Sequence, residues 1–207
     1  MTLGPQLGRL ISIGSAEVAA GPVVGLPVGE QGDDLAELLR HRNGFVAFES
    51  ALFVRGAGSG PYDLAAWNAP RGWRAGYSGM ADGIFFFAED IFGGQFGLRG
   101  NEVVAFEPET GEFRVVSSSL EGWAQWILAD FELTTGYPLG RAWQRRFGAL
   151  LLGKRLIPRI PFVLGGDFTI ENLYSVDSTV GMQVRAELAV QIRDLPDGAQ
   201  VRYRVID

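Results

Sequence analysis

Residues 83–110 read GIFFFAEDIFGGQFGLRGNEVVAFEPET, and the punctuation of this stretch decides the fold. The apolar run Ile84 to Phe87 gives way to Glu89 and Asp90, and Gly93-Gly94 then break the chain. Gln95–Arg99 alternates, with Phe96 and Leu98 on one side and Gln95 and Arg99 on the other. Gly100-Asn101 is a turn signal, after which Val104 and Phe106 alternate again. The sequence from Pro108 to Gly111 is a second turn, and Phe113 and Val115 face together beyond it. Successive side chains of a strand point to opposite faces, and Gly, Asn and Pro between such runs mark tight connections. The stretch therefore predicts an antiparallel meander of three or four short strands, with one greasy face and one wetter face.

Helical patterns flank it. Asp33-Asp34 open a helix whose stripe is Leu35, Leu38 and Leu39, and Asn43-Gly44 close it behind His41 and Arg42. Phe45–Val54 then reads as strand, Pro61–Asn68 as a short helix, and Ala69–Gly79 as an aromatic loop. Downstream, Ser118 and Glu121 have the spacing of a capping box ahead of Leu120, Trp123, Ile127 and Phe131. A second helix is expected over Gly140–Leu152, with Trp143, Phe147, Leu150 and Leu151 inward and Arg141, Arg145 and Arg146 outward. Pro158 and Pro161 keep Lys154–Leu164 from being a central strand throughout. Asp177 or Ser178 caps a last helix with Val180, Val184, Leu188 and Ile192 as its stripe, and Val201, Tyr203 and Val205 alternate in a final strand. The first 32 residues, rich in Gly and Pro, read as an N-terminal arm. Residues 33–207 read as one α+β domain, an antiparallel sheet of about five or six strands with helices packed on one side.

Composition narrows the chemistry. With 207 residues, 47% hydrophobic and 12% aromatic, the chain has ample material for a core. It has no cysteine, hence no disulfide, thiolate nucleophile or Cys-based metal site. The formal net charge of −6 argues against nonspecific nucleic-acid binding and is compatible with a basic partner. Leu10–Val28 is interrupted by Glu17, glycines and prolines and falls short of a membrane span, and no basic n-region precedes it. A soluble cytoplasmic protein is the expectation.

No catalytic set stands out. His41 is the lone histidine, and no serine sits in a nucleophile elbow. The glycine run Gly93–Gly100 lacks the Gly-Lys-Ser/Thr ending of a phosphate loop. Glu89 and Asp90 are adjacent on a strand and so point apart, which suits a carboxylate fixing the Phe92–Gly94 turn better than an acid–base pair. No catalytic residue, metal site or cofactor is expected. Acidic positions instead gather around the strands and turns of the proposed sheet, namely Glu49, Asp82, Glu89, Asp90, Glu107, Glu109, Glu112, Asp167 and Glu171. Such a set is either a solvated rim or a patch that meets a basic partner. Trp73, in a loop, and Trp126, off the helical stripe, are candidate interface anchors.

The phrase FFAEDIFGGQFGL, a strand ending in Glu-Pro, then TGE and Trp123 on a helix, resembles the SUKH superfamily. LLRHRNGFVAFESALFV is similar to that family's early segment, where a helix ends in Asn-Gly before the first strand. The superfamily includes bacterial immunity proteins and the fungal cell-wall synthesis regulator of the Smi/Knr type. The resemblance covers roughly Asp33 to Leu152, with residues 153–207 as an extension. The Gly/Pro-rich N-terminus and the aromatic loop Trp67–Tyr77 depart from it. It implies a protein-binding module that blocks a cognate, basic toxin domain without chemistry of its own. The alternatives are a regulatory scaffold of the same fold and, further off, an enzyme using Glu89, Asp90 or Asp167 with a divalent cation. On the binding reading, the contact residues are Glu89, Asp90, Glu107, Glu109, Asp167, Glu171, Trp73 and Trp126.

Overall fold

Residues 3–58, 60–196 and 198–201 are described by a computed structural model. A six-stranded antiparallel sheet runs in sequence order through β1 (Phe45–Ala47), β2 (Leu52–Val54), β3 (Phe85–Asp90), β4 (Gln95–Arg99), β5 (Glu102–Phe106) and β6 (Phe113–Ser117). β7 (Lys154–Pro158) and β8 (Leu173–Asp177) form a separate antiparallel pair. The helices are α1 (Pro5–Ile13), α2 (Glu30–His41), α3 (Leu64–Trp67), α4 (Leu120–Ala129), α5 (Phe131–Thr135), α6 (Tyr137–Phe147) and α7 (Ser178–Ile192). The class is α+β, and the meander β3 to β6 is the one its turn residues foretell. No helix among the described residues is long and apolar enough to cross a membrane.

The expectation of helices on one side and a wetter opposite face is corrected, because both faces are covered. On the first face Phe87, Phe96, Leu98 and Val103 pack with α1, α2 and α4, and Trp123 meets the Phe87 ring edge-on at 4.9 Å. On the second, Phe86, Val104 and Phe106 pack with Trp73 and Tyr77 of a 3₁₀ turn and with Met182, Ala186 and Ala189 of α7. The cause lies in β3. Alternation along this apolar run sends Ile84 and Phe86 to the second core and Phe85 and Phe87 to the first, and a register shift between Phe86 and Ala88 turns Ala88 to the first core as well. Phe113 and Val115 do face together, but they lie exposed on edge strand β6.

Several other boundaries shift for identifiable reasons. The presumed arm contains α1, whose Leu7 and Leu10 are buried in the first-face core. Glu121 does not close a capping box on α4, where Ser119 is the cap and accepts from Gly122 N–H at 3.0 Å. Its carboxylate instead accepts from the N–H groups of Gln6 and Leu7 at 2.6 and 3.1 Å. A carboxylate is favoured there because the first turn of a helix has unpaired N–H groups and a positive dipole end. α2 starts at Glu30, three residues ahead of the expected Asp33. α6 ends at Phe147, and Phe147 and Leu151 are exposed, contrary to the expected stripe.

The buried face of α7 is also corrected. Val180 and Val184 are exposed, while Gly181, Met182, Arg185, Ala186 and Ala189 turn inward. Small residues let this helix lie close to the 3₁₀ turn: a Cβ on Gly76 would stand 3.0 Å from Ala186 Cβ. The strand expected around Tyr203 and Val205 lies outside the described residues.

Candidate functional site

Two polar assemblies meet at the end of the sheet where β3 turns into β4. The first is fully enclosed. Glu89 is 0% exposed, and its Oε1 lies 3.0 Å from Arg55 Nη2 and 3.1 Å from Arg155 Nε. Ser178 Oγ donates to the same oxygen, and Gln95 Nε2 donates to Oε2, each at 3.0 Å. Trp67 Nε1 donates to Gln95 Oε1 at 3.0 Å, and the Arg55 guanidinium stacks 3.4 Å from the Trp67 ring centre. These residues tie β2, β3 and β4 to β7 and to the start of α7. Enclosure pushes the Glu89 carboxyl up, but the two guanidiniums outweigh it and hold the group below the usual carboxylate range. Burial pushes Arg55 down from its ordinary value, with Glu89 opposing. With no face open to solvent, Glu89 is a strut, and its assignment as a partner-contact residue is corrected.

The second assembly is an open groove. A cavity of about 640 Å³ lies between the sheet edge and the α4–α5 corner, walled by Phe96, Arg114, Trp126 and Leu133 among others. A smaller one of about 290 Å³ continues toward the β7–β8 layer and is walled by Phe92, Pro158, Phe162, Val163, Phe168 and Arg185. Asp90, Gly94 and Glu107 line both, so the two form one groove across the β3–β4 turn. Its carboxylates are Asp90, Glu107, Glu109, Glu112 and Asp130, against the guanidiniums of Arg114 and Arg185. The groove is therefore acidic beyond the average of the chain.

Local chemistry fixes each member. Asp90 Oδ1 accepts from Phe92 N–H and Gly94 N–H at 2.8 Å, as expected of a carboxylate that holds this turn. Arg185 braces the turn from the other side by donating to the Phe92 carbonyl at 2.5 Å. Gly93 has φ +79°, and a Cβ there would stand 2.6 Å from Arg185 Nη2, so the position needs glycine twice over. Glu107 Oε1 accepts from Glu109 N–H at 3.1 Å, and Tyr77 Oη donates to the Pro108 carbonyl at 2.9 Å, which together set the β5–β6 turn. Enclosure, with Glu107 nearby, pushes the Asp90 carboxyl up to about 7, against the pull of its two N–H donors and Arg185. Enclosure also raises Glu109, with the Val163 N–H opposing it.

The structure thus brings Asp90, Glu107, Glu109 and Trp126 together in one groove. Trp126 is half-buried there, with the Arg114 guanidinium 5.2 Å from its ring centre. Trp73 is only 2% exposed, packed on Phe86 and Tyr77, so its assignment as an interface anchor is corrected. Its loop position concealed a 3₁₀ turn under α7. Asp167 and Glu171 are exposed on the segment before β8 and line neither cavity. His41 sits at the end of α2 with Nδ1 2.9 Å from the Glu37 carbonyl, away from the groove lining. Among the described residues no three His, Asp or Glu side chains converge closely enough to share a metal ion. The sequence reading missed Arg55, Arg155 and Arg185, since an arginine beside an apolar strand or on a helix looks like surface. The one available signal was Glu89 itself, an acid inside an apolar strand, which needs an enclosed cation.

No family model matches the chain, and no curated protein matches it. Among solved structures it is similar to Atu4351 from Agrobacterium tumefaciens, at 12% identity and a TM-score of 0.53, over 90% of this chain and 82% of that one. A likeness at that identity speaks for the fold alone.

Proposed function

We propose that this chain is a non-catalytic binding protein whose acidic groove receives a basic protein partner, in the manner of an immunity protein that neutralises a toxin domain by covering it. The observation that carries the reading is the convergence of Asp90, Glu107, Glu109 and Glu112 around the two joined cavities, with Trp126 on the wall. A partly buried aromatic beside a cluster in which carboxylates outnumber guanidiniums suits an anchor with a steering rim. The resemblance of FFAEDIFGGQFGL and TGE to the SUKH superfamily supports the same reading and stands with it as a proposal. Asp90, whose carboxyl is pushed up to about 7 by enclosure, has an oxygen committed to two backbone N–H groups, which suits holding a turn more than moving a proton.

The test is affinity capture from a lysate of the native host. Wild type is compared with a Glu107→Gln/Glu112→Gln variant and bound proteins are read by mass spectrometry. A single stoichiometric basic protein held by wild type and lost from the variant is the expected result. Equal recovery by both proteins would rule the groove out as the contact face.

A further inference from the structure

The smaller cavity has a feature that the rest of the groove lacks. Glu109 is only 3% exposed, yet among the described residues no Lys, Arg or His side chain pairs with its carboxylate. Its Oε2 accepts from Val163 N–H at 2.9 Å, and the Phe162 backbone N–H also draws on the carboxylate, so its partners are backbone amides and no ion pair. A carboxylate withdrawn from water without a counterion is an unfavourable state of a fold, and here the group borders an open cavity. Arg185 lies on the wall but directs Nε to the Gly181 carbonyl and Nη1 to the Phe92 carbonyl. The cavity thus offers Glu109 and Asp90 to an incoming cation.

The remaining walls narrow the class of cation. At about 290 Å³ the cavity is at or below the small end for small-molecule sites, about 300 Å³, and suits one side chain rather than a cofactor. Phe162 and Phe168 stack in parallel, with ring centres 4.0 Å apart and planes at 4°, and Phe168 is 68% exposed at the rim. A flat exposed ring beside carboxylates favours a planar guanidinium over a compact ammonium. Val163 and Pro158 give apolar contact to a methylene stem.

We infer that this cavity receives an arginine side chain of the partner, its guanidinium between Glu109 and Asp90 and its plane against Phe168. The inference rests on the binding reading above and names the anchor within it. The test is an amide NMR titration at about pH 7.5, above the Asp90 titration. The probes are the capped peptide Gly-Arg-Gly, its citrulline analogue and a capped hexa-arginine. Saturable shifts of the Gly93, Gly94 and Val163 amides with the arginine peptide, absent with citrulline, are expected. Affinity should fall about tenfold in Glu109→Gln, in which the Gln side chain still accepts from Val163 N–H. It should fall about threefold in Phe168→Ala, an exposed position whose change leaves the fold intact. An exposed control, Glu187→Gln, should leave it unchanged. Equal binding of citrulline, or unchanged affinity in both groove variants, overturns the inference. Shifts confined to the Trp126 indole and the β6 amides overturn the arginine cavity while leaving the groove reading in place. No saturable shift anywhere in the groove, even with hexa-arginine, overturns both.

Discussion

Replacing Glu89 by Gln is expected to cost this fold about 3–5 kcal/mol, the range for removing one partner of a buried ion pair. The geometry sets that figure. Among the described residues Glu89 is the single carboxylate within salt-bridge distance of Arg55 and Arg155, which are 2% and 1% exposed. Gln preserves the shape and an acceptor for Ser178, so the loss is chiefly of charge, and it leaves two guanidiniums enclosed without an anion. Against a typical stability of about 5–15 kcal/mol the loss is large. With a urea slope of about 2–3 kcal/mol per molar, the unfolding midpoint should drop by about 1–2.5 M. Two further readouts separate this mechanism from a packing defect. Arg155→Met should cost less in the Glu89→Gln background than in wild type, because the two changes remove one shared interaction. Because Glu89 is held below its ordinary value of 4.5, its contribution is present above that pH and is lost as pH falls through the lower, folded-state value. The wild type should therefore lose stability below about pH 4.5, and the variant should lack that component. A Glu89→Gln midpoint within about 0.3 M of wild type would refute the reasoning, since it would mean less than about 1 kcal/mol.

The remaining predictions concern the turn, the helix and the first hairpin. Asp90→Asn keeps an oxygen for the Phe92 and Gly94 N–H groups while removing a carboxyl raised from 3.8 to about 7. A raised group gives its full stabilisation below the unfolded value and loses it as pH rises through the folded one, so the variant should gain on wild type from about pH 4 to pH 8. The gain should reach about 1–2 kcal/mol in urea melts, discounted because Asp90 is half-buried. Ala186→Leu should cost about 1–3 kcal/mol by overpacking against the 3₁₀ turn, whereas Val184→Leu on the exposed side should stay within about 0.5 kcal/mol. Phe48, Glu49 and Ser50 carry φ of 52°, 51° and 72°, a left-handed turn without glycine. Ser50→Gly should raise thermal stability by up to about 1 kcal/mol, the relief of left-handed strain less the entropy of glycine.

The meander was legible because its signals are local: Gly93-Gly94, Gly100-Asn101 and Pro108–Gly111 fall between alternating runs, and the strands end there. What was not legible depends on partners distant in sequence. Alternation places Phe86 and Phe87 on opposite faces, but that both faces are covered depends on α4 on one side and on α7 with the Trp73–Tyr77 turn on the other. Val180 and Val184 form a plausible stripe, yet α7 buries its small residues because its partner surface, Trp73–Tyr77, demands close approach. Glu121 was read correctly as a helix cap but assigned to the wrong helix, since its target lies more than 100 residues away. For the site, the acidic positions at the β3–β4 and β5–β6 turns were visible and do converge. Their division into an enclosed strut at Glu89 and an open groove at Asp90 follows from strand alternation only once Arg55 and Arg155 are in place.

The most direct measurement of the central claim is the affinity of the captured partner's basic domain for wild type and for Glu107→Gln/Glu112→Gln, by titration calorimetry at low and high salt. The account predicts one-to-one binding, weakened about tenfold or more by the double change and falling as salt rises. Equal affinities for the two proteins, with no dependence on salt, would contradict it.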